Sequence, residues 1–144
     1  MTLEVAQAAD LANIRALLRS NGLPIEDLDA GGVQTHWVWR DADRVVATVG
    51  LDVVGTVAVI RSLVTDSAFR GQHIASALCD AAEDEGRRRG VTAVYLLTES
   101  AAELFERRGY RAVDRATVPD GVACHRQFAS GCCRCARTMV KSFG

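Results

Sequence analysis

A branched, apolar run from Thr56 to Val64 passes through a short turn and opens directly into an amphipathic stretch from Gln72 to Arg89. No other feature constrains the fold as tightly. The run is apolar on both faces, as a central strand should be. Behind it, Ile74, Ala77, Leu78 and Ala81 recur at helical spacing, and Gly90 is the stop signal. Glu83, Asp84, Glu85, Arg87, Arg88 and Arg89 are expected to face water. A strand that turns into a helix start carries unpaired backbone N–H groups and partial positive charge to the end of a sheet, a setting suited to phosphate. Arg70 and Gly71 stand just ahead of that start.

The rest of the chain supplies strands to pair with this unit and helices to cover it. Leu3 to Val5 predicts a short first strand. Leu11, Ile14, Leu17 and Leu18 predict a helix over Ala9–Ser20, closed by Asn21-Gly22. Pro24 to Leu28 starts a second, short helix that Gly31-Gly32 breaks. Thr35–Arg40 and Val45–Val53 read as strands joined at Asp41-Ala42-Asp43. Val91–Leu97 is another buried strand, Glu99–Arg108 a short helix closed by Gly109, and Tyr110–Asp114 a further strand. Past Pro119 the pattern weakens, with Gln127–Ala129 and Arg137–Val140 as candidates for a final strand. The sum is an α/β (α+β) fold, a mixed sheet of six to seven strands flanked by about four helices.

At 144 residues the chain is most simply one domain, 1–144, long enough to bury a real core. A net charge of −1 shows no basic excess for nucleic acid. No apolar run approaches the roughly 20 residues of a membrane span. The start, Met1-Thr2-Leu3-Glu4-Val5, lacks the basic and long apolar regions of a signal peptide, so a cytoplasmic protein is expected. Five cysteines, an odd number without an export signal, argue for thiols rather than a disulfide framework.

The turn before the long helix reads Arg70-Gly71-Gln72-His73-Ile74-Ala75. It resembles the acetyl-CoA signature of the GNAT acetyltransferases, Arg/Gln-x-x-Gly-x-Gly/Ala, with His73 in place of the central glycine. Ala101-Ala102-Glu103-Leu104-Phe105-Glu106-Arg107-Arg108-Gly109-Tyr110 is similar to the later family pattern Ala-x-x-Phe/Tyr-Tyr-Glu-x-x-Gly-Phe, and the order of elements matches across the chain. Arg61-Ser62-Leu63, Tyr95-Leu96-Leu97-Thr98, Val113-Asp114-Arg115 and Phe128-Ala129-Ser130-x-Cys132 look like the GNAT subgroup of bacterial arsenic-resistance operons.

The resemblance implies an acetyl-CoA-dependent N-acetyltransferase acting on a small amine. CoA's diphosphate would lie on the N–H groups of Gln72, His73, Ile74, Ala75 and Ser76, after Arg70 and Gly71. Pantetheine would run along Leu63, Val64 and Thr65, where two strands splay, and beside Phe105. The Leu63 N–H would polarise the thioester. No side-chain base is identified: the family's strand glutamate corresponds to Val59, and its tyrosine acid to Phe105. Two readings stay open. Either the amine arrives partly neutral or loses its proton through water, or the protein binds CoA with little turnover.

Alternation places Val59, Arg61 and Leu63 on one face. Arg61 would then fork onto the carboxylate, phosphinate or arsinate of an acidic amino-acid-like acceptor such as arsinothricin or phosphinothricin. Its alternative is an arginine solvated at a sheet edge or paired with an acid. Trp37 is the other substrate-wall candidate. His36 would face oppositely to it, so only one of the two can serve. Relatives often dimerise through late strands, which makes a homodimer an expectation. Cys124, His125, Cys132, Cys133 and Cys135 invite a metal or metalloid, but their spacing is not that of a zinc site, so no metal is expected. Cys79 is expected in the core.

Overall fold

The computed structural model describes residues 2–22, 34–98, 101–123 and 137–143. In chain order these form β1 (Thr2–Val5), α1 (Leu11–Ser20), β2 (Gln34–Asp41), β3 (Arg44–Val54), β4 (Val57–Thr65), α2 (Ile74–Arg88), β5 (Ala93–Thr98), α3 (Ala102–Arg107), β6 (Arg111–Ala112), α4 (Asp120–Ala123) and β7 (Arg137–Ser142). The strands make one mixed sheet in the order β1-β2-β3-β4-β5-β7-β6. The expected fold class is therefore the observed one. Among the strand pairs only β4 and β5 run parallel, and α2 makes the crossover between them.

Two tight hairpins set the register of the central strands. Ala42-Asp43 joins β2 to β3, and Gly55-Thr56 joins β3 to β4, with Gly55 at φ 64° supplying the left-handed residue. One face of the sheet is covered by α2, where Ile74, Leu78, Cys79 and Ala82 pack on Ala47, Val49, Leu51, Ala58, Ile60, Val94 and Leu96. Leu78 is fully buried, and its truncation to alanine would cost about 2–5 kcal/mol. On the other face Ile14, Leu17 and Leu18 of α1 cover Val38, Val45 and Val64, while Val122 of α4 packs on Val59.

Several boundaries move. The long helix begins at Ile74 rather than Gln72, because Ser67–Phe69 forms a 3₁₀ turn and His73 sits left-handed. β6 is shorter than the predicted Tyr110–Asp114, and the short α4 was not expected. Glu83, expected in water, is buried. It accepts hydrogen bonds from the Tyr110 hydroxyl (3.1 Å), Arg108 Nη2 (3.0 Å) and Lys141 Nζ (2.9 Å). Those partners come from distant parts of the chain and leave no mark on helical periodicity. Cys79 is in the core as expected, and burial pushes its thiol up to about 12, so it stays protonated. The predicted helix at Pro24–Leu28, the Gln127–Ala129 segment and Cys124, Cys132, Cys133 and Cys135 lie outside the described residues.

Candidate functional site

The turn between β4 and α2 is built from its own side chains. Asp66 accepts from the Ala68 N–H at 3.0 Å and pairs with Arg44 at 2.6 Å, which pins the exit of β4. Arg70 donates to the Thr65 carbonyl (3.2 Å) and to Asn21 Oδ1 (3.1 Å), tying the turn to the end of α1. Gly71 stands at φ 83° and His73 at φ 61°. His73 occupies the place where the family pattern has glycine, and the backbone shows why glycine suits it: this residue must be left-handed. Gly71, Gln72 and His73 are exposed, and the first N–H groups of α2 follow immediately.

β4 and β5 pair only at Val57↔Ala93, Ala58↔Val94 and Val59↔Tyr95. β5 continues against β7 to Thr98, and β4 continues against β3 to Thr65, so the two strands diverge beyond Val59. At the point of divergence β4 carries a bulge. Thr48 faces Val64 and Gly50 faces Arg61, which leaves Val49 opposite both Ser62 and Leu63, with Ser62 at φ 59°.

The bulge inverts the strand's alternation. Ala58 and Ile60 lie in the α2 core before it; Leu63 packs there after it, and Val64 joins the α1 cluster. Leu63 therefore does not share a face with Val59 and Arg61, as simple alternation expected. One inserted residue shifts the phase of all that follow.

Arg61 is not at a sheet edge. It is buried on a central strand, with its Nε 3.3 Å from Asp52 of β3. His36 lies on the same face, its ring over Gly50, which is the register partner of both His36 and Arg61. Buried His36 and Arg61 and half-buried Asp52 thus form a polar group between the apolar patches under α1 and α4. Trp37 is not brought to this group. It faces the opposite way, into the α2 core, where its large apolar ring is removed from water. Of the two candidates on β2, His36 is the one beside Arg61. Asp52 was missed; its signal was a carboxylate at even spacing from Gly50 inside an apolar strand.

The acetyltransferase (GNAT) family profile matches residues 9–110, which span α1 to the start of β6. The chain belongs to the GNAT family. Its fold is also that of solved GNAT structures. A GNAT-family acetyltransferase from Staphylococcus aureus is 14% identical, with 99% of this chain and 100% of that one covered and a TM-score of 0.79. A Mycobacterium tuberculosis protein solved with CoA and NLQ is 18% identical, with 100% of both chains covered and a TM-score of 0.81. N-acetylglutamate synthase from Neisseria gonorrhoeae, solved with coenzyme A and N-acetyl-glutamate, is 14% identical at a TM-score of 0.81; this chain is covered completely but spans 36% of that one. No curated protein matches the chain in sequence.

As a GNAT the protein is an N-acetyltransferase with acetyl-CoA as its acetyl donor. The exposed, left-handed turn before α2 and the gap beyond Val59 fit that donor. Two positions to which the resemblance assigns acid–base groups are closed here. Val59 is fully buried against Val122, and Phe105 is buried edge-on to Tyr110, with ring centroids 5.2 Å apart. Among the described residues, no group of three His, Cys, Asp or Glu side chains is arranged to hold a metal.

Proposed function

We propose that this GNAT acetylates the amine of a small, acidic, amino-acid-like acceptor, with phosphinothricin and arsinothricin as the model compounds, as in the arsenic-operon subgroup it resembles. The observation that supports this reading is Arg61, a buried guanidinium oriented by Asp52 at the level of the β4 bulge. A guanidinium held in this way offers a planar fork to a carboxylate, phosphinate or arsinate.

Acetyl-CoA, when bound, supplies the activated acyl group. The chain's part is to hold and polarise it. Backbone N–H groups of Gln72, His73, Ile74, Ala75 and Ser76, introduced by Arg70 and Gly71, cradle the diphosphate, and several such bonds act together. Main-chain groups of Leu63, Val64 and Thr65 hold pantetheine where β4 leaves β5. The bulge at Ser62 re-aims the Leu63 peptide, whose N–H stabilises the developing oxyanion; one such donor is worth roughly 2.7–4 kcal/mol. Phe105 contributes apolar wall. With Val59 sealed, the ammonium proton leaves through water.

A second reading, CoA binding with little turnover, is favoured by the two closed acid–base positions, Val59 and Phe105. Release of CoA thiol over a panel of amines separates the two. Steady release with phosphinothricin, lost by about 10- to 100-fold in kcat/KM on Arg61→Lys, supports the enzyme and the fork. Unchanged kcat/KM in Arg61→Lys removes the acidic acceptor. Coenzyme binding with no thiol release from any amine leaves the binding protein.

A further inference from the structure

We propose that His36 is the base of the acetyl transfer: its imidazole takes the proton that the acceptor's ammonium must lose. The inference deepens the acidic-acceptor reading above and rests on it.

His36 is 9% exposed on β2, and its ring lies across Gly50 of β3. Gly50 is the register partner of His36 on one side and of Arg61 on the other. Neighbouring strands stand about 4.8 Å apart, so the two residues start about 10 Å from each other, and the ring closes part of that span. An imidazole is thereby laid beside the guanidinium that would hold the acceptor's acid group. In an amino-acid-like acceptor the amine lies a few bonds from that group, so one water bridges the amine to the imidazole.

The charges on this face give the imidazole its task. Asp52, the next residue of β3 on the same face as Gly50, lies 3.3 Å from Arg61 Nε and matches its charge. An acid group that forks onto Arg61 meets a pair with no net charge, and brings an uncompensated negative charge into a buried setting, which is costly. A cation beside it removes the excess. Imidazole is the side chain that changes charge near neutral pH, and His36 is placed to do so. Around it, β1 and β2 carry Glu4 and Arg40, which close on one another together with Asp10, and α1 carries the half-buried Arg15.

One proton transfer then serves both ends of the acceptor. The ammonium gives a proton through water to His36, which leaves a neutral amine and sets an imidazolium beside the acid group. The amine nitrogen forms its bond to the acetyl carbonyl carbon, and the carbon–sulfur bond breaks. The new amide nitrogen sheds its second proton to the departing sulfur, and His36 returns the first to solvent. With the base on β2, Val59 and Phe105 are free to be apolar.

Thiol release with phosphinothricin, followed from about pH 5.5 to about pH 10 in the wild type, His36→Gln, His36→Asn and Arg61→Lys, tests this. Wild-type kcat/KM is expected to level off above about pH 7–8, where the imidazole is neutral and the amine still protonated. The His36 variants should fall about 10²- to 10⁴-fold near neutral pH and climb tenfold per pH unit toward the amine's own titration, because only free amine then reacts. Arg61→Lys should be slower with the wild-type profile. Coenzyme A affinity by calorimetry should be the same in the wild type and the His36 variants, which shows them folded and keeps the effect in the acceptor half. A wild type that itself climbs without levelling overturns the proposal and needs no variant. His36 variants that lose rate but keep the wild-type profile make the imidazole structural and overturn it too, while Arg61 and the acidic acceptor stand. A wild type that turns over no acidic amine overturns the acceptor reading and this inference together.

Discussion

The imidazole of His36 lies across Gly50, so closely that an alanine methyl at position 50 would stand 2.7 Å from Nε2 and 2.9 Å from Cδ2. The missing side chain on β3 is what allows a ring from β2 to lie flat toward β4. Gly50→Ala should therefore force the ring off its position and cost about 1–3 kcal/mol, read by urea denaturation. The double variant His36→Ala/Gly50→Ala should recover part of that loss, giving a positive coupling in the double-mutant cycle. Additive effects would mean that the ring and the glycine do not constrain each other.

Val59 stands where the family resemblance puts a glutamate, which makes Val59→Glu a tempting way to add a base. Its side chain is fully buried and packed against Val122. A carboxylate at this place has lost water and stands across from a like charge, Asp52, the register partner of Val59, so the substitution should cost about 3 kcal/mol or more. Acetyl transfer per folded molecule should not rise. A stable Val59→Glu protein with faster thiol release would show that the strand face is open to the acceptor after all.

The contrast between Val59 and Leu63 shows where the sequence is legible and where it is not. Period-two and period-3.6 patterns placed the strands and the long helix within a few residues, because burial on one face writes itself into every second or every third to fourth residue. Arg70 to Ser76 was legible as a helix entry for the same local reasons. The bulge at Ser62 was not. A serine at φ 59° leaves no compositional trace, yet it inverts the face of everything behind it. Asp52 and Glu83 were invisible as paired groups because their partners, Arg61 in one case and Arg108, Tyr110 and Lys141 in the other, come from other elements. Gly50 gave no hint that it makes room for His36.

His73 is a non-glycine residue at φ 61°, at the cap of α2. A left-handed conformation costs an L-residue about 1–2 kcal/mol, and glycine's extra freedom in the unfolded chain offsets about 0.5–1 kcal/mol of the relief. His73→Gly should therefore stabilise the fold by a few tenths to about 1 kcal/mol, measured by urea denaturation. Because the proposed cradle consists of backbone, coenzyme A affinity should persist. A large loss of affinity in His73→Gly would assign the imidazole, rather than the peptide, to the phosphates.

Asp10 and Arg40 set an acid limit on stability. Both Asp10 oxygens lie 2.7 Å from Arg40 Nη2, and Oδ2 also accepts the Gln7 N–H at 2.8 Å. The hydrogen bond from Arg40, followed by that from Gln7, holds the Asp10 carboxyl below its ordinary 3.8. A carboxylate with a depressed folded-state pKa adds stability that is complete above its unfolded value and drains away as pH falls through the folded one. The stability difference between the wild type and Asp10→Asn should thus be constant from neutral pH to about pH 5 and shrink steadily below about pH 4. Arg40→Gln should flatten the same curve, since it removes the main cause of the shift. Denaturant melts of the three proteins between pH 7 and pH 2 provide the comparison. A wild-type advantage that persists undiminished at pH 2 would mean that Asp10 acts through its shape and neutral hydrogen bonds, not through its charge.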